Sequence, residues 1–231
     1  MHSAILQFPG SNCDRDMLAA LQAMEGVSAY LHWHKDADLS AVDAVVVPGG
    51  FSFGDYLRCG AIARFSPVMS ALKAFADNGG PVLGVCNGFQ ILCEAGLLPG
   101  ALVRNACLEF RCQLADLAVV QPDGPFGRAS LGESLRLPIA HGEGNYRADE
   151  TTLQQLEANG QILFRYAPPS GNPNGSLADI AGIRNNAGNV IGMMPHPERA
   201  VADFHPNTQG RVVLESFVDL ARQRASATTV S

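Results

Sequence analysis

A chain of 231 residues, 47% hydrophobic and 16% charged, is long and apolar enough for one large α/β domain with a full core, which excludes a disordered polymer. Its formal charge of −6 and the absence of any Lys/Arg block argue against nucleic acid or an anionic membrane as the main partner. No apolar run approaches the ~20 residues that span a bilayer.

Residues 3–8 predict a first strand, too short and without the basic leader of a signal peptide, so a cytoplasmic location is expected. Pro9 to Asn12 form a turn, with Asn12 as the expected cap of a helix over residues 13–24. Met17, Leu18, Leu21 and Met24 recur there at helical spacing, the pattern of a core stripe. Residues 27–34 predict a second strand. Asp43 to Pro48 predict a third, whose continuous apolar run suits a strand covered on both faces.

That third strand ends in Pro48-Gly-Gly-Phe-Ser-Phe-Gly-Asp55. Glycine-rich turns at the carboxyl end of a parallel strand are where α/β sheets bind ligands, and they can aim N–H groups at an anion. No Gly-Lys-Ser/Thr follows, so this is not a P-loop. The turn reads as half of an oxyanion hole, with Gly50 the best single candidate, or as an ordinary tight turn. Arg58, just beyond, is a substrate or partner contact, or simply a solvated arginine. Ser66-Pro67 opens a helix that runs to Asp77, and Asn78-Gly79-Gly80 ends it. Strands alternating with helices in this half predict a mostly parallel central sheet flanked by helices.

Residues 81–92 are the stretch around which the chain is organised. Pro81-Val-Leu-Gly-Val85 predicts a buried strand and Gly88-Phe-Gln-Ile-Leu92 the start of a helix. Between them Gly84-Val-Cys-Asn-Gly88 has the Gly-x-nucleophile-x-Gly pattern, with cysteine as nucleophile. Small residues flank such a turn because a side chain there would strike neighbouring backbone. The turn lifts Cys86 to the end of the sheet, over a helix N-terminus that favours a thiolate. It also leaves the Asn87 N–H positioned to donate to an oxyanion. The plainer reading is a buried structural cysteine beside a packing glycine.

Beyond residue 100 short strand-like runs at 117–120, 135–140, 162–166, 180–184 and 190–194 alternate with Gly/Pro/Asn-rich loops, the pattern of an antiparallel extension. A weak helix is expected over 151–158 and a last one over 209–222. Residues 224–231 are expected to fray as a flexible tail. With no linker and no repeat, residues 1–223 are expected to form a single domain.

A cysteine nucleophile needs a base and a group to orient that base. Met193-Met-Pro-His-Pro-Glu-Arg199 supplies both, His196 and Glu198. The two prolines predict an extended segment, in which residues two apart share a face. His141, followed by Glu143 at the same spacing, is the rival base; its flanking glycines fix the geometry less, and it is assigned to the rim. The cysteines at 13, 59, 86, 93, 107 and 112 contain no Cys-x-x-Cys, and the histidines lack zinc-finger spacing, so reduced thiols and no metal are expected.

Taken together, these residues resemble the class I glutamine amidotransferases. More narrowly, they resemble glutaminase subunits of a purine-biosynthetic ligase. The resemblance covers nearly the whole chain. Its signposts are residues 8–14, 48–63 and 84–92, Ala140-His-Gly-Glu-Gly-Asn-Tyr146, Asn172-Pro-Asn-Gly-Ser176 and residues 192–199. It implies a three-layer, flavodoxin-like α/β fold. It also implies that Cys86 attacks the side-chain amide of glutamine, that His196 shuttles the proton and that Glu198 orients His196. Gly50 and Asn87 N–H groups then hold the oxyanion, and Gln90 contacts the substrate. Ammonia would pass to a large ATP-dependent synthetase subunit, with a small third subunit bridging, so ATP and magnesium belong to the partner and no cofactor to this chain. Phe53 stands where these proteins often have tyrosine, Cys107 and Cys112 fall in no motif, and residues 121–130 match nothing. Alternatives are the glutaminase of another amidotransferase and a free-standing cysteine hydrolase on the same fold, which would carry its histidine close after the cysteine. A non-catalytic scaffold would have a broken triad, and a thiol redox sensor would need only an exposed Cys86.

Overall fold

A computed structural model describes residues 1–121, 124–127 and 135–228. The elements in chain order are β1 (His2–Gln7), α1 (Asp14–Gln22), β2 (Ser28–Trp33), β3 (Ala44–Val47), α2 (Val68–Asp77), β4 (Val82–Val85), α3 (Asn87–Glu94), β5 (Ala101–Val103), β6 (Arg111–Val119), β7 (Leu135–His141), β8 (Asn145–Arg147), α4 (Glu150–Ala158), β9 (Ile162–Tyr166), β10 (Ile180–Arg184), β11 (Val190–Met193) and α5 (Gly210–Thr228). One sheet of nine strands has the order β2-β1-β3-β4-β11-β10-β9-β6-β7. The strands from β2 to β11 pair in parallel, and those from β11 to β7 pair antiparallel. The expected α/β sheet with an antiparallel extension is therefore present, with β11 as the seam.

The central strands β3, β4 and β11 have every residue buried, as their unbroken apolar runs require. Five-strand stretches of this kind need helices over both faces, and α1 meets the sheet with part of the predicted stripe: Met17 and Leu21 are fully buried, Leu18 is half-buried, and Met24, nearly buried, lies just past the end of the helix. That helix starts at Asp14 with Cys13 in the cap position, and no side chain caps it. Asn12, the expected cap, instead accepts the Cys13 thiol at 3.2 Å, while Asp14 and Asp16 in the first turn complement the helix dipole. Ser66 likewise precedes α2 without capping it, because its hydroxyl meets His34 Nδ1 at 3.0 Å. The far end of α2 is closed by Gly79 at φ +86, by the Gly80 N–H donating to the Phe75 carbonyl, and by buried Asn189, whose Nδ2 donates to the carbonyls of Ala76 and Gly80, each at 2.8 Å.

Three other boundaries differ from expectation. β6 begins at Arg111 rather than 117, because its first residues, paired only with β7, are half-buried or exposed and carry no apolar alternation. Strands β5 and β8, three residues each, form a separate small ladder too short to leave a pattern. Helix α5 runs past Arg222 to Thr228, so residues 224–228 extend the helix rather than a tail. Arg224 ties this end to the Ala187 carbonyl at 2.7 Å, and no Gly or Pro interrupts it. Residues 229–231 of the expected tail lie outside the described residues, as do 122, 123 and 128–130 of the stretch that matched no motif. Within that stretch Phe126 is buried edge-on against Phe164. Among the described residues, no helix is long and apolar enough to cross a membrane.

Candidate active site

Three neighbouring strand ends build the site. Cys86 follows β4 directly and sits at φ 50, ψ −106, a conformation that a non-glycine residue adopts only under constraint. The constraint is visible on both sides: the Cys86 N–H donates to the Met193 carbonyl at 2.8 Å, and its carbonyl accepts from the Gln90 N–H at 3.2 Å. A Cβ on Gly88 would run into the Val47 carbonyl oxygen, and one on Gly84 would lie 2.8 Å from the Gly88 backbone, so the sharp turn admits only glycine at both places. Cys86 occupies the N-cap position of α3 without a side-chain cap bond, and its thiol lies 3.7 Å from the Ala140 carbonyl.

Beyond β11, His196 is extended (φ −100, ψ 90), but Pro197–Arg199 form a 3₁₀ turn in place of the expected extended segment. The turn still folds Glu198 back onto the imidazole: Nδ1 and Oε1 are 2.6 Å apart, and both residues are 1% exposed. The His196 N–H is pinned to the Pro138 carbonyl of β7 at 2.8 Å. Burial works against the imidazolium, yet the negative charges of Glu198 and Cys86 outweigh it and hold His196 well above its usual range. His196 Nε2 and Glu198 Oε2 are buried without a hydrogen-bond partner among the described residues.

The turn after β3 closes the third side. Gly49 accepts from the Cys13 N–H at 3.2 Å, and the Phe51 N–H donates to the Gly10 carbonyl at 2.9 Å, so the 10–13 segment is laced to it. Gly50 lies at φ +151 with Ser11 and Asn12 backbone 2.8 Å from any Cβ it could carry. A cavity of about 200 Å³ results, lined by Gly50, Cys86, Ala140 and His196, and also by Cys13 and Arg199. Asn87 fastens its floor, accepting the Ser52 N–H at 3.2 Å and donating to Gln90 Oε1 at 2.9 Å. Gln90 is buried and does not line the cavity; its amide continues the chain of bonds to the Glu143 carbonyl at 2.6 Å.

A strained cysteine elbow facing a buried His–Glu pair narrows the family, and comparison with known proteins decides it. Residues 1–216 match the model of the CobB/CobQ-like glutamine amidotransferase domain. The chain is 62% identical over 211 residues to phosphoribosylformylglycinamidine synthase subunit PurQ of Synechococcus elongatus, covering 91% of this chain and 94% of the relative. It is 56% identical over 226 residues to PurQ of Moorella thermoacetica, covering 95% and 96%. The chain belongs to the PurQ family of glutamine amidotransferases. In a solved structure of PurLQS from Thermotoga maritima, one chain aligns with a TM-score of 0.84 at 40% identity, over 94% of this chain and 97% of that one. A putative GMP synthase subunit from Thermoplasma acidophilum shares the fold at 14% identity, with a TM-score of 0.67.

In this PurQ-family chain the rival base takes another part. His141 is buried, not on the rim, and Glu143 does not pair with it. Its Nδ1 faces Asn105 Oδ1 at 3.2 Å instead, and Asn105 also holds the His141 carbonyl and the Gly144 N–H. Asn174 adds bonds to the Gly144 carbonyl at 2.8 Å and to the Tyr166 hydroxyl at 3.1 Å. Burial, aided by the nearby His196 charge, pushes His141 down to about 4, so it is a neutral hub beneath the loop at neutral pH. Arg58 is bound bidentately to Glu94 at 2.6 and 2.7 Å and stays off the cavity. Sequence reasoning missed Asn105 and the placement of Cys13. Asn174 lay in a quoted signpost without a role. Cys13 is 2% exposed and on the cavity wall, where only the tertiary contact of residues 10–13 with the turn after β3 could put it.

Proposed function

We propose that this chain is the glutaminase subunit of phosphoribosylformylglycinamidine synthase. It hydrolyses L-glutamine to glutamate and ammonia, for a synthetase that uses ATP to convert formylglycinamide ribonucleotide to formylglycinamidine ribonucleotide in purine biosynthesis. The observation that carries this reading is the Cys86 elbow opposite a buried His196–Glu198 pair 2.6 Å apart. The partners in the proposal are PurL, the synthetase, and PurS, the small bridging subunit; the PurLQS assembly of Thermotoga maritima, whose matching chain is 40% identical, supports both. ATP and Mg²⁺ belong to the synthetase and no cofactor to this chain. Residues 1–223 act as one domain, and the location is cytoplasmic.

The chemistry follows from the groups present. Cys86 Sγ attacks the carboxamide carbon of glutamine, and its proton goes to His196 Nε2, the ring nitrogen left unbonded. Glu198 keeps the Nδ1–H tautomer and offsets the imidazolium charge. Gly50 and Asn87 N–H groups stabilise the oxyanion. His196 then protonates the departing ammonia, leaving a γ-glutamyl thioester. Water, deprotonated by the same nitrogen, releases glutamate. Gln90 acts from behind, with Asn87, by fixing the floor on which the substrate carboxamide rests.

The test is labelling with diazo-oxo-norleucine followed by peptide mass mapping, with and without excess glutamine, on the chain alone and with its synthetase partners. One glutamine-protected adduct on Cys86 is expected. Adducts spread over several cysteines with no protection, in both preparations, would overturn the reading. Cys86→Ala is expected to abolish glutamine-dependent synthesis by the complex while sparing synthesis from added ammonia.

A further inference from the structure

We infer that the cavity also forms an inhibitory site for a thiophilic divalent cation of the zinc type, with Cys13 as a ligand. Cys13 Sγ, an imidazole nitrogen of His196 and a carboxylate oxygen of Glu198 all lie within 4.8 Å of one another, and the three residues are 2%, 1% and 1% exposed. The imidazole nitrogen beside Glu198 is Nδ1, 2.6 Å from Oε1, and the other carboxylate oxygen, Oε2, is buried with no hydrogen-bond partner among the described residues. Thiolate, imidazole and carboxylate together are the donor set of zinc, at ligand distances of roughly 2.0–2.3 Å, so an ion entering here displaces the Nδ1 proton, opens the 2.6 Å His196–Glu198 pair and draws the Cys13 sulfur in. A hard cation such as Mg²⁺ prefers all-oxygen sites and does not compete well here. Cys86 lines the same cavity on the Nε2 side of the ring, so the fourth position is left to water.

The cation on the wall, Arg199, is already engaged by Asp16 at 3.1 Å. Binding would release the Cys13 thiol proton as the metal–sulfur bond forms. No redox change is involved, and a chelator would reverse it. The regulatory consequence rests on the glutaminase reading: a cation holding His196 and Glu198 removes the base and its partner together. The metal site itself stands without that reading.

The experiment titrates the untagged, reduced full chain with Co²⁺ and follows sulfur-to-cobalt charge-transfer absorption, which needs no turnover. Wild type is expected to bind one equivalent, with the band displaced by Zn²⁺. Cys13→Ser is expected to weaken binding by more than about tenfold, since loss even of an outer-shell partner of a metal ligand costs that much. In Cys86→Ala the zinc K-edge spectrum is expected to retain a sulfur neighbour at about 2.3 Å. Unchanged affinity and band in Cys13→Ser, loss of all sulfur scattering in Cys86→Ala, or no charge-transfer band in wild type would each overturn the proposal. In the assembled enzyme, Zn²⁺ is expected to depress glutamine-dependent synthesis and spare ammonia-dependent synthesis. Equal loss of both would place the inhibition on the synthetase and overturn the regulatory role. Cysteine labelling by diazo-oxo-norleucine is read separately, so failure of the metal site and failure of the glutaminase reading leave different records.

Discussion

A single carboxylate sets how His196 behaves. Burial pushes the ring towards its neutral form, and Glu198 at 2.6 Å, with Cys86 on the other side, holds it well above its ordinary range. Glu198→Gln keeps a similar shape and removes the charge. Its expected effects are a His196 titration midpoint shifted downward, read by NMR, and a glutaminase rate lowered roughly 10²- to 10⁴-fold with the fold retained. Wild-type rates would remove Glu198 from the mechanism. Gly88 is as constrained by space as Glu198 is by charge: Gly88→Ala sets a methyl against the Val47 carbonyl and is expected to cost about 1–3 kcal/mol or more, measured as a lowered urea midpoint, together with the loss of Cys86 labelling. The nucleophile, its glycines and the His–Glu pair were all legible, because each is written within a few consecutive residues. Cys13 and Asn105 were not, because their partners lie far away in sequence: Gly49 and the His196 ring for one, the 141–144 loop for the other.

The elements tell the same story through their lengths. Strands β9 and β10 could be read to the residue, because each is an apolar run bounded by turn residues. β5 and β8 have three residues apiece and leave no period to detect, and the first half of β6 is half-buried or exposed and leaves no alternation. Predicted helix starts were placed almost correctly for reasons that differ from those observed, since neither Asn12 nor Ser66 spends its side chain on a cap. The end of α2 depends instead on Asn189, which arrives from the turn before β11. Asn189→Ala leaves one buried and one half-buried carbonyl without that donor and is expected to cost about 1–3 kcal/mol. Urea denaturation would measure it, and the rate of Cys86 labelling, which depends on the opposite ends of the strands, is expected to stay unchanged.

For the molecule as a whole, two buried histidines push pH dependence in opposite directions. His141 is depressed to about 4 in the folded chain, so in acid the unfolded chain binds the proton more readily than the folded one. Its contribution is complete above about 6.5 and is lost as the pH falls towards 4, up to roughly 3 kcal/mol by linkage. His196 is raised instead, so its contribution is complete below the ordinary histidine value and fades as the pH climbs through its folded midpoint. Urea midpoints measured across pH 4–7 are expected to fall on acidification, and to fall less steeply in His141→Gln; identical slopes would show that His141 is not the group responsible.

The position of β11 has a consequence for how the protein comes into being. It is the last strand made and yet it lies in the middle of the sheet, between β4 and β10. Until residues 190–193 leave the ribosome, the elbow strand has an open edge of unpaired N–H and C=O groups, the kind of edge that recruits other chains. The nucleophile is thus translated long before its base, and the strand that delivers the base is also the one that seals the sheet. A nascent chain cut short of residue 193 would have neither a closed sheet nor a working site, so partial products carry an aggregation hazard with no residual glutaminase to set against it.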